Sequence, residues 1–71
     1  MPVQIKSPMS GTLVTFSIAI GNRVEMGQQV AVIESMKMEI PVEADASGEV
    51  LELHAAPGDF IEEGDTLISL D

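Results

Sequence analysis

Glu34-Ser35-Met36-Lys37-Met38-Glu39-Ile40 decides how this chain folds. Before it runs Val30-Ala31-Val32-Ile33, apolar enough for a buried strand, and after it comes the alternating segment Ile40-Pro41-Val42-Glu43. A short polar break between two strand-like runs predicts a hairpin, with Lys37 where the chain reverses. Lys6 and Lys37 are the only lysines and Arg23 the only arginine. A cation at this tip is therefore a scarce residue in this chain.

Working outward, the sequence repeats itself at a shift of 37 residues. Gly11, Gly21 and Gly27 fall on Gly48, Gly58 and Gly64; Ser10 falls on Ser47 and Glu25 on Glu62. Leu13, Val24, Val30 and Ile33 fall on Val50, Ile61, Leu67 and Leu70. Residues 1–34 thus recur as residues 38–71 within one expected domain, 1–71, and Ser35-Met36-Lys37 is the unpaired junction. A duplicated unit of this size cannot bury its own apolar face, so the two halves must close one core between them. Lys37 stands at the crossover.

Each half reads as short strands between glycine turns, with almost no helical periodicity. Val3 and Ile5 mark the first strand, stopped by Ser7-Pro8. Gly11 opens a second that carries through to Ile18; Val24 lies in a very short third, and Gln29 to Ile33 form the fourth. After the tip come Met38 to Glu43, Gly48 to Leu53, Phe60-Ile61 and Thr66 to Leu70. Gly21-Asn22, Pro57-Gly58-Asp59 and Gly64-Asp65 have turn chemistry. Eight short, regularly spaced strands predict an all-β fold: a flattened barrel or sandwich of two four-stranded antiparallel sheets with a pseudo-twofold internal repeat. Val30-Ala31-Val32-Ile33 and Leu67-Ile68 are too apolar to leave one face wet, so these segments are expected to be the central, buried strands.

Composition narrows the function classes. Three basic against 12 acidic side chains leave a net charge of −9, which repels phosphate backbones and anionic membranes. Phe16 and Phe60 are the only aromatics, too few for a base-stacking platform. Without cysteine there is no thiol nucleophile, thiolate ligand or disulfide. No apolar run approaches the roughly 20 residues of a membrane span, and Met1 to Lys6 lack signal-peptide character, so the expected location is the cytoplasm. The expectation is no nucleic acid, no membrane and a monomeric domain.

Catalytic and metal-binding readings are hard to build. His54, the only histidine, falls on Ser17 in the repeat and reads as a solvated strand-end residue. Asp59, Glu62, Glu63 and Asp65 do not have the spacing of a calcium loop and read as a solvated rim. Gly21, Gly27, Gly58 and Gly64 recur in matching pairs and serve turns, since a phosphate cradle has no reason to be duplicated. Lys37 has no counterpart in the repeat. Most turn lysines are merely solvated, but this one lies at the repeat junction between two methionines, whose soft side chains suit an adaptable recognition surface.

Ser35-Met36-Lys37-Met38 between two glycine-punctuated β repeats resembles the biotinyl domain (biotin carboxyl carrier domain) of the biotin-dependent carboxylases. It also resembles the small free-standing biotin/lipoyl attachment proteins. The resemblance covers the chain from Ser7-Pro8-Met9-Ser10-Gly11 to Asp71. It implies a flattened barrel with Lys37 exposed on a terminal hairpin, and biotin joined to that lysine by a biotin protein ligase, with Ser35, Met36 and Met38 as its recognition flanks. The biotin would then shuttle carboxyl groups between biotin carboxylase and carboxyltransferase sites, and the carrier would have no active site of its own. The rival within the fold is a lipoyl carrier of a 2-oxo acid dehydrogenase or glycine cleavage system. Lipoyl domains usually flank their lysine with Asp and Ala rather than methionines. A rival of another class is an unmodified interaction module. Some bacterial carriers of the family insert a protruding thumb between the second and third strands. Here Ser17-Ile18-Ala19-Ile20-Gly21 is as long as its mate His54-Ala55-Ala56-Pro57-Gly58, so no thumb is expected.

Overall fold

The structure, a computed structural model, describes residues 3–71. Met1 and Pro2, which open the first repeat and the segment read as lacking signal-peptide character, lie outside the described residues. Eight strands follow in order: β1 Val3–Lys6, β2 Gly11–Phe16, β3 Arg23–Val24, β4 Gln29–Ser35, β5 Met38–Glu43, β6 Gly48–Leu53, β7 Phe60–Ile61 and β8 Thr66–Leu70. They form two antiparallel four-stranded sheets, β1-β8-β6-β3 and β5-β4-β2-β7. A shift of 37 residues lays β1 to β4 over β5 to β8, matching β2 and β3 to β6 and β7 residue for residue, and the strand order of the first sheet becomes that of the second. The sheets close one core, in which Ile5, Val50, Leu67, Ile68 and Leu70 meet Leu13, Val30, Ile33, Val42 and Ile61. Fully burying each of these aliphatic side chains contributes roughly 1.5–3 kcal/mol.

Turns repeat as faithfully as strands. The Gly21 amide donates to the Val50 carbonyl, and the Gly58 amide donates to the Leu13 carbonyl. Asn22 Oδ1 accepts from the Ala19 amide just as Asp59 Oδ2 accepts from Ala56, both at 3.0 Å. Gly21 and Gly58 have φ of 93° and 96°, a left-handed conformation that costs glycine nothing. The Ser17–Gly21 and His54–Gly58 connections are therefore the same turn, with no inserted element.

Two expectations need correction. The second strand ends at Phe16, not Ile18: Ile18 turns inward from the following loop and is buried in the core. The central strands β4 and β8 do hold the apolar blocks, but not because both faces are dry. Their pairing slips by one residue, leaving Val30 unpaired in register against β5 and Leu67 unpaired against β1. Such a bulge breaks the alternation, so two consecutive side chains reach the same core. Val30 with Ala31 and Leu67 with Ile68 are buried in this way, while Val32 faces outward and is half-buried.

Candidate functional site

Strands β4 and β5 form the longest paired ladder in the molecule, from Gln29↔Glu43 to Ser35↔Met38. Only Met36 and Lys37 remain to connect them. Both have positive φ, 53° and 65°, the signature of a type I′ turn. That turn suits the twist of a hairpin but is normally made by Asn-Gly, because left-handed backbone costs a side-chain-bearing residue roughly 1–2 kcal/mol. Methionine and lysine are held there by the ladder of six residue pairs behind them. β4 accordingly runs two residues past the expected Ile33, since so short a loop forces Ser35 into register with Met38.

The fold brings the expected site residues together in one place. Ser35 is half-buried at the base of the loop, while Met36, Lys37 and Met38 are exposed. Met36 is 92% and Met38 65% accessible, so neither methionine packs against the hairpin. Among the described residues, the Lys37 ammonium takes part in no ion pair. An unencumbered amine on a stiff stalk can be reached by a partner active site and acylated there.

Two further features of the stalk emerge once the strands are in register. Gly11 lies beside it without a side chain because a Cβ there would run into the Glu34 carbonyl oxygen and the Ile33 side chain. Its recurrence as Gly48, which is similarly hemmed in by Asp71, was the available signal. Glu34 and Glu39 stand directly opposite each other, one pair behind Ser35↔Met38. Two carboxylates so placed destabilise a hairpin, and nothing in the linear sequence pairs them.

The other candidates stay apart from the tip. His54 Nε2 lies 2.7 Å from Ser69 Oγ and 3.6 Å from Glu52 Oε2. A serine–histidine–acid relay needs its two partners on different ring nitrogens, and here both face the same one. An open hollow of about 480 Å³ beside Phe60 and Thr66 includes no residue of the hairpin. Asp59 and Asp65 on its wall each accept a backbone amide at 3.0 Å, which holds them as turn caps.

Residues 3–70 match the family of biotin- and lipoyl-binding domains described as "Biotin-requiring enzyme". A biotin/lipoyl attachment protein of Bacillus subtilis is 50% identical over 62 residues, which is 87% of this chain and 85% of that protein. The alpha chain of human mitochondrial propionyl-CoA carboxylase is 40% identical over 67 residues, 94% of this chain but only 9% of the carboxylase chain. The urea carboxylase of Kluyveromyces lactis contains the same fold, with a TM-score of 0.91 and 32% identity over the whole of this chain and 6% of that one. In the large carboxylases, then, the counterpart of this chain is a small part of a much longer polypeptide. By sequence, fold and turn geometry together, the chain belongs to the biotin/lipoyl attachment family, a carrier-domain family with homologues inside carboxylases.

Proposed function

We propose that this chain is a biotin carboxyl carrier, with biotin attached through an amide to Lys37 Nζ. The observation that carries the reading is the type I′ loop in which Lys37 lies between two exposed methionines. The residues present fit the group: the amine is accessible, and the flanks are apolar. The Ser35↔Met38 pairing holds the loop at a fixed position on the barrel. In the attachment step a biotin protein ligase takes a proton from the ammonium and presents an activated biotin carboxyl group. The amide forms as the activating group leaves. Loss of the ammonium charge takes the net charge from −9 to −10.

Biotin so bound supplies carboxyl-group transfer, and the chain supplies reach and recognition. Lysine and biotin together make an arm on the order of 15 Å long by bond-length counting. The arm serves a biotin carboxylase site and then a carboxyltransferase site, and the barrel itself contributes no catalytic group. Homologous domains inside propionyl-CoA and acetyl-CoA carboxylases support this reading. Intact-mass analysis of the protein from its own cells tests it, with Lys37→Arg as control. A biotin increment that disappears on substitution is expected; a lipoyl increment, or an unmodified chain, overturns it.

A further inference from the structure

The strand register fixes which side chains share each outer face. On the β5-β4-β2-β7 sheet, Glu39, Glu34 and Glu43 face outward with Pro41, Val32, Gln29, Thr12 and Thr15. That face has three carboxylates and no cation. The outer face of the β1-β8-β6-β3 sheet has Lys6 and Arg23 against Glu49 and Glu52 and is balanced. The chain's acidity is thus one-sided at its sheets, and the anionic side runs directly into the Lys37 hairpin.

One row of that face is continuous across all four strands: Glu39↔Glu34↔Thr12↔Phe60. With strands about 4.8 Å apart it spans about 14 Å. Phe60 ends the row and is 67% exposed. The pseudo-twofold supplies an internal control. Phe60 falls on Arg23, which pairs with Glu49 as Phe60 pairs with Thr12, and Arg23 forms an exposed 2.9 Å ion pair with Glu25. The same backbone position therefore accepts a charged residue, and the barrel has no need of an aromatic there. An exposed phenyl ring beside a row of carboxylates has the composition of an interface anchor.

We infer that the Glu39–Glu34–Thr12–Phe60 row is the docking surface for the enzyme that acylates Lys37, with Phe60 seated in an apolar hollow rimmed by that enzyme's arginines or lysines. This rests on the attachment function proposed above. Reach selects this occupant. An enzyme acting on the unmodified amine works at the end of a side chain roughly 6 Å long. It must approach the hairpin closely, and the row begins only about 7 Å behind the loop. An enzyme that uses the finished arm can stand about two and a half times as far away. A second copy of the chain is disfavoured, because two such anionic faces repel.

Acylation kinetics with a biotin protein ligase and a lipoyl ligase test the docking surface. Phe60→Arg copies the residue already tolerated in the first repeat, so folding should survive, and the thermal midpoint checks this. KM for acylation is expected to rise about tenfold with kcat little changed, as for loss of an interface anchor. Glu34→Gln with Glu39→Gln should raise KM and flatten its salt dependence. Glu49→Gln with Glu52→Gln removes the same charge from the opposite face and should do neither. Titration of the ¹⁵N-labelled Lys37→Arg chain with ligase should shift the amides of Thr12, Glu34, Glu39 and Phe60. An unchanged KM for Phe60→Arg, a footprint confined to Ser35–Met38 or lying on the opposite sheet, or a dimer formed through Phe60 overturns the docking surface while leaving Lys37 as the attachment site. Attachment of lipoyl alone overturns the biotin assignment and leaves the docking surface standing. A wild-type chain that neither ligase modifies brings down both.

Discussion

At the residue scale, the tip trades stability for access. Met36 holds a left-handed conformation that asparagine adopts more readily. Met36→Asn is therefore expected to stabilise the protein by about 0.5–1 kcal/mol, and to raise its melting temperature by about 4 °C, while slowing attachment to Lys37. Calorimetry and ligase kinetics on the same sample read both effects. The double substitution Met36→Asp with Met38→Ala separates recognition from folding. Side chains as exposed as these bury little area, so the melting temperature should move by no more than about 2 °C while biotin attachment falls. A large drop would show that the methionines support the barrel.

At the scale of the element, the β4–β5 hairpin has one favourable and one unfavourable arrangement beside its tip. The favourable one is the close approach of β2, which Gly11 permits. Gly11→Ala would drive a methyl group into the Glu34 carbonyl and should destabilise the fold by about 1–3 kcal/mol, measured by urea unfolding. Gly48→Ala, its counterpart against Asp71, should cost more, because the clash there is joined by a backbone φ of 157° that side-chain-bearing residues rarely adopt. The unfavourable arrangement is Glu34 opposite Glu39. Glu39→Lys converts it to an attractive pair and should add about 0.5 kcal/mol to stability at low salt, with the gain shrinking as salt rises. If that variant is instead less stable at low salt, the two carboxylates do not repel one another in the folded hairpin.

At the scale of the whole molecule, the Ser17–Gly21 connection matches His54–Gly58 bond for bond, so among the described residues it carries no inserted projection. Attaching biotin should therefore shift amide resonances only from about Glu34 to Glu39; shifts at Phe16 to Asn22 would show that this loop holds the cofactor. Two all-β sheets, the eight strands and the hairpin at Lys37 were legible in the chain by itself. Glycine turns and period-two alternation are local signals, and the 37-residue repeat lets each half verify the other. Met36 and Lys37 could be singled out for the same reason, as part of Ser35-Met36-Lys37, the one stretch without a repeat mate, and Met38 as the second methionine beside that lysine. Tertiary structure decided what depends on partners distant in sequence. Consecutive buried residues such as Val30 and Ala31 looked like strands dry on both faces, and only the register against β5 reveals a bulge. The alignment of Phe60 with Glu34 and Glu39 is likewise invisible in sequence. A row across a sheet joins residues from different strands, and its membership is set by hydrogen-bond register rather than by spacing along the chain.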